Sequence, residues 1–296
     1  MKGGAYMKNP FRIIAFALFL ALILTLFSCG GKNSLFDAVD TKNGIFTLTV
    51  SDGTTCKLFR LQNDTSTKNN LISALSKVTA KPFSGTPHDV PAPAVDSPAY
   101  VFSAFTKDGS DFSVLYSGGY LVTDDGSVYE FDFDFALVPE KYSFTEDSTI
   151  NSAATGFESI LARDGDSFDA SRLVTHEDYM SIYGANYPGT PDGVTASFVS
   201  LGGNDGKPTV TIEISNGTNS EFSFGKYYII EVSVDGKWYV LPELPDRPVM
   251  VEDIGIGLAA GKSTEMTYSL WNWGDLPAGT YRVTISDNLS AEFTIN

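Results

Sequence analysis

The residues that could do chemistry are few, so they bound the function early. His88 and His176 are the only imidazoles. Nucleophilic hydrolysis needs a base beside its nucleophile and a third group orienting the base. Both histidines sit in stretches that read as exposed, His88 in a proline-rich loop and His176 in His176-Glu177-Asp178. There is no Gly-x-Ser-x-Gly, and His176-Glu177 has no second histidine four residues after the first, as a zinc-protease helix requires. Carboxylates are abundant. Glu130-Phe131-Asp132-Phe133-Asp134-Phe135 would put three acids on one face of a strand and three rings on the other. The plain reading is a half-buried strand with a solvated face. A calcium site would draw oxygen ligands from Glu130, Asp132 and Asp134, with Asp124 or Asp125 beside them. A carboxylate-dependent hydrolase would need two acids roughly 5–10 Å apart across a cleft. Asp164-Gly165-Asp166-Ser167-Phe168-Asp169 resembles a calcium loop only at its start, because Phe168, Asp169 and Thr175 occupy positions five, six and twelve. No metal and no cofactor is assigned. Exposed aromatic faces could instead stack on sugar rings. Trp271 and Trp273 alternate as on one strand face, and Tyr179, Tyr183 and Tyr187 recur at near-helical spacing, with Tyr227-Tyr228 adding further rings. Packing into the core is the competing reading for both tryptophans.

Elements must hold these residues, and composition limits what they can be. The chain has 296 residues, 43% hydrophobic and 13% aromatic, enough for a sizeable core in one large domain or two ordinary ones. A net charge of −16 excludes a nucleic-acid partner, whose phosphates need a Lys/Arg surface. Two cysteines exclude a disulfide scaffold and a multi-cysteine zinc site. From Gly44 the pattern is β-rich: Ile45–Val50, Asp52-Gly53 and Thr54–Leu61 predict a hairpin. Asp64 precedes Leu71, Ile72, Leu75 and Val78, an apolar face for a short helix. A stiff loop with prolines 82, 87, 91, 93 and 98 leads into runs at Tyr100–Thr106, Phe112–Tyr116, Tyr120–Thr123 and Val128–Phe133. These predict a small α+β domain over 44–145. Residues 146–191 read as a connecting segment, with a hairpin at Asp164-Gly165 between Phe157–Ala162 and Phe168–Val174. From 192 to 296, β runs recur with a turn signal every 8–12 residues and no helical period. The fold class is therefore mainly β, a small α+β domain followed by a sandwich.

The first 28 residues are a targeting address. Lys2, Lys8 and Arg12 form a basic, acid-free start, and Ile13–Phe27 is an apolar run too short for a spanning helix. The run ends in Leu26-Phe27-Ser28-Cys29, which resembles a bacterial lipoprotein lipobox, with bulky Phe27 a mild departure. The resemblance implies cleavage before Cys29 and acylation of its thiol, with 29–43 as lipidated cysteine and tether. Two acyl chains would hold at the membrane where one holds only marginally. The acidity of the exported chain repels anionic headgroups, so the lipid rather than the protein surface would do the holding. Cys56 is then the one unmodified thiol.

The C-terminal part is similar to bacterial immunoglobulin-like domains of surface lipoproteins, through Asp235-Gly236-Lys237-Trp238-Tyr239-Val240-Leu241-Pro242, Leu258–Glu265 and Leu276-Pro277-Ala278-Gly279-Thr280-Tyr281-Arg282-Val283. The resemblance implies a sandwich and an extracytoplasmic setting. Residues 44–145 are similar to companion domains of such proteins only loosely, through Tyr120–Thr123, Asp125-Gly126 and Tyr129–Asp132. The expected function is a lipid-anchored binding or scaffolding protein on the outer face of the cell membrane, non-catalytic, with a protein or glycan partner. A carbohydrate-binding lipoprotein and a carboxylate-dependent hydrolase are the alternatives.

Overall fold

In a computed structural model, the structure describes residues 34–296 apart from 43, 151–154, 185–188, 205, 246, 248, 250–253 and 287. The apolar run Ile13–Phe27 and Cys29, expected as a signal segment and lipidation site, lie outside the described residues. Among those described, no helix is long and apolar enough to cross a membrane.

The first body is built on one antiparallel sheet. Its elements are β1 (Thr47–Ser51), β2 (Cys56–Leu61), α1 (Thr65–Leu75), β3 (Lys81–Pro82), β4 (Ala99–Phe105), β5 (Asp111–Ser117), β6 (Tyr120–Thr123), β7 (Val128–Glu130), α2 (Val138–Lys141) and β8 (Phe144–Ile150). The strand order is β3-β7-β6-β5-β4-β1-β2-β8. Helix α1 starts where expected, with the Asp64 carboxylate accepting from Ser66 N and Leu71, Ile72 and Leu75 buried. Two hairpins close on the same five-residue turn, Thr106-Lys107-Asp108-Gly109-Ser110 and Thr123-Asp124-Asp125-Gly126-Ser127. In each, the Asp carboxylate accepts from the Thr hydroxyl and the Ser amide. Gly109 (φ 87°) and Gly126 (φ 81°) take the left-handed conformation that side chains resist.

Both faces of this sheet are covered. Phe102, Ala104, Val114 and Leu121 point to one core, where α1 and Phe36, Phe131 and Phe135 pack on them. Ala99, Val101, Leu115 and Val122 point to the other, under Val90, Phe157, Ile160 and Leu161. Three expectations change here. The stretch 29–43, expected as a tether, includes core residues, Phe36 (0% exposed) and Val39 (1%). The proline-rich loop is partly a lid, since Val90 is fully buried. The sheet runs past 145, because β8 pairs with β2 through Ile150. Every β8 residue after Phe144 is exposed, so no apolar alternation marks the strand.

Residues 155–184 join the two bodies as α3 (Glu158–Leu161), the small hairpin β9 (Arg163–Asp164) and β10 (Ser167–Phe168), β11 (Val174–Thr175) and α4 (His176–Tyr183). The expected hairpin survives only as these two-residue strands, and Phe157–Leu161, expected extended, is a helical turn buried against the first sheet.

The second body is a sandwich of β12 (Val194–Asn204), β13 (Lys207–Asn216), β14 (Phe222–Phe224), β15 (Ile229–Val234), β16 (Lys237–Leu241), β17 (Ile256–Leu258), β18 (Ser263–Ser269), β19 (Gly279–Ser286) and β20 (Leu289–Ile295). One sheet has the order β11-β16-β15-β19-β20 and the other β12-β13-β18, with β14 and β17 paired separately. Val210, Ile212 and Ile214 face Ile230, Val232, Tyr281 and Val283 across the core. Trp273 and Tyr281, each 1% exposed, supply the mass that a disulfide does not.

Candidate functional site

Alternation along β15 sends Ile230 and Val232 into the sandwich core and Glu231 to the outer face of the sheet. Glu231 is nonetheless 0% exposed. A buried carboxylate must be paired and hydrogen-bonded, and this one is. Arg282 lies directly opposite it on β19. Arg282 Nε donates to Glu231 Oε2 at 2.8 Å and Nη2 to Oε1 at 3.1 Å, a bidentate fork. Thr284 donates its hydroxyl to Oε2. His176, the first residue of α4, places Nδ1 2.8 Å from Oε1. The Arg282 guanidinium also stacks on Trp238, 4.4 Å from the ring centroid. At the rim, Thr190 and Ser286 share a 2.6 Å hydroxyl contact.

His88 forms the second cluster, where the proline-rich loop meets the connecting segment. Its Nε2 lies 3.1 Å from Asp169 Oδ2. Arg172 donates to the carbonyls of Val90 (2.9 Å) and His88 (2.8 Å). The Ser171 hydroxyl, then His88, hold the Asp169 carboxyl down at about 2. Each histidine therefore joins the connecting segment to one of the two bodies. Both are part-buried and faced by a carboxylate, where the sequence suggested solvated loops. Arg163 adds a third tie, donating to the Trp273 carbonyl at 3.0 Å. Leu244 of the sandwich packs into the core beneath the first sheet.

The residues singled out from sequence separate. Trp271 and Trp273 lie in a 3₁₀ turn, not on a strand. Trp273 is core, with Nε1 donating to the Leu241 carbonyl at 2.7 Å, so it offers no face to a sugar. Trp271 is half-buried, and Lys207 and Arg247 each hold a cation 4.7 Å from its ring centroid. Tyr179 and Tyr183 are half-buried on α4 and pack on each other, centroids 4.8 Å apart. Tyr187 lies outside the described residues. The acidic run leaves the sheet at Glu130, yet its alternation persists: Phe131 and Phe135 are buried while Glu130, Asp132 and Asp134 are exposed. The Asp134 carboxylate caps a 3₁₀ turn by accepting from Ala136 N at 3.0 Å, and Asp125 is held in its own turn. Among the described residues, no group of three or more His, Cys, Asp or Glu could hold a metal ion. Cys56 is 2% exposed, and burial pushes its thiol pKa up.

Residues 201–294 match a bacterial Ig-like domain. The C-terminal sandwich is an Ig-like domain, and the match runs from within β12 to β20. It contains Glu231, Arg282 and Thr284 but stops short of His176. No curated protein matches the chain. The Glu231 cluster escaped the sequence reading, although its signal was present: one acid among aliphatics in Ile229-Ile230-Glu231-Val232, and one cation midway along Thr280–Ile285.

Proposed function

We propose that the protein is a non-catalytic, lipid-anchored binding or scaffolding protein, held by Cys29 on the outer face of the cell membrane. The observation that supports this most is the coupling of the Ig-like domain to a second body. Leu244, Arg163, Arg172 and the two histidines tie the bodies and the connecting segment to one another, which suits a spacer. Both histidines are engaged by the protein's own carboxylates, which suits a structural role. The contact to a partner falls to the proline-rich loop. Its Ala94–Ser97 turn, closed by reciprocal 3.0 Å backbone bonds, holds Val95 79% exposed. The anchor is tested by growing cells with a palmitate analogue and comparing the wild type with Cys29→Ala. Label on the wild type, and its loss together with release from the membrane fraction in the variant, is the expected result. An unlabelled wild-type protein overturns the anchor.

A further inference from the structure

We infer that Val174–Tyr183 is a strap that opens by local unfolding ahead of either body, baring the edge and outer face of the Ig-like domain. The inference does not depend on the lipid anchor. The strap lies before residues 201–294, which match the Ig-like family, and adds β11 to one edge of the β16-β15-β19-β20 sheet. Its hold is shallow. Strand β11 is two residues long and pairs only Val174 with Val240 and Thr175 with Tyr239. Helix α4 has eight residues and buries none of them. His176, Tyr179, Met180 and Tyr183 lie on the side toward the sheet but stay half-exposed, and Ile182 points outward at 55% exposure. A helix of two turns is not stable undocked, so α4 persists only while that thin layer holds.

The Glu231 cluster makes opening inexpensive. His176 is a polar side-chain tie from the strap to the sheet, through its 2.8 Å contact to Glu231. When the strap lifts, Glu231 keeps the Arg282 fork and the Thr284 hydroxyl, so no buried charge is left without a partner and water replaces the His176 contact. Two surfaces appear together. One is the backbone edge of β16, which β11 covers as an added strand would. The other is a flat polar face of Glu231, Arg282, Thr284 and Trp238.

Native-state amide hydrogen exchange on the full chain tests this. Amides at 180–184 are expected to exchange at least about 100-fold faster than those of β15 and β19, through an opening insensitive to low denaturant. His176→Phe keeps ring bulk but removes the polar tie, and should accelerate α4 exchange a further ~10- to 100-fold without changing β15 or β19. Exchange of α4 in step with β15 and β19, with the same denaturant slope, would overturn the inference. So would an α4 rate unchanged by His176→Phe in a folded variant. Should that variant not fold, the wild-type comparison decides alone.

Discussion

Arg282→Met is the perturbation that reads the buried cluster most directly. Methionine keeps most of the arginine stem but removes the fork on Glu231 Oε1 and Oε2. Glu231 stays 0% exposed with only Thr284 and His176 to compensate its charge. Breaking a buried pair from one side costs about 3–5 kcal/mol, because the remaining charge is uncompensated. Loss of the guanidinium over Trp238 adds roughly 0.5–1 kcal/mol. Replacing both partners, Glu231→Gln with Arg282→Met, removes the charge itself, and the double variant should recover most of the loss. Urea denaturation followed by tryptophan fluorescence suits the measurement, since Trp238, Trp271 and Trp273 all lie in the Ig-like domain and are the only tryptophans. A single-variant cost below about 1 kcal/mol, or a double variant no more stable than Arg282→Met, would refute the view that charge compensation dominates here.

The two tryptophans should behave oppositely. Trp273→Ala empties a site 1% exposed and orphans the Leu241 carbonyl, costing about 3–5 kcal/mol, whereas Trp271→Ala should cost under about 1.5 kcal/mol. Both are read by chemical denaturation, with Trp238 as reporter. A glycan array should show no binding that Trp273→Ala removes in a folded protein. The Asp169 tie predicts a pH dependence. Its folded pKa, about 2, lies below the ordinary carboxylate value, so its contribution is complete above about pH 4 and disappears as pH falls through 2. Asp169→Asn should flatten that limb of the stability–pH curve, and an unchanged limb would remove Asp169 from the account.

What was legible in the sequence followed local chemistry. Asp52-Gly53 set the β1–β2 hairpin, Asp64 the start of α1, and recurrent turn signals the succession of short strands over 192–296. What was not legible depended on contacts distant in sequence. Strand β8 exists because β2 offers it a backbone ladder, not because its side chains alternate. Phe36 looked like part of a tether, yet its ring meets Phe102 at 5.9 Å and Phe131 at 5.8 Å. The Trp271-Asn272-Trp273 spacing suggested a strand, but Asn272 is buried and donates to the Arg247 carbonyl, which turns the segment into a 3₁₀ corner. Periodicity could not distinguish those outcomes.

The Glu231 cluster shows why a site can be fixed by topology and still pass unnoticed. Its members come from β15, β19 and α4, with Arg282 51 residues and His176 55 residues from Glu231. No short motif joins them. Yet the same residues constrain the fold strongly. Glu231 and Arg282 are direct cross-strand partners, and a one-residue slip would turn Glu231 into the apolar core beside Ile230 and Val232. An unpaired carboxylate there costs several kcal/mol, more than an aliphatic swap of the same register would. The ion pair therefore selects the register of β15 against β19 even where it adds little net stability. Its residual need for one more donor is what His176 meets. A pair that specifies the sheet thus also provides the attachment for the strap, and loosening one need not disturb the other.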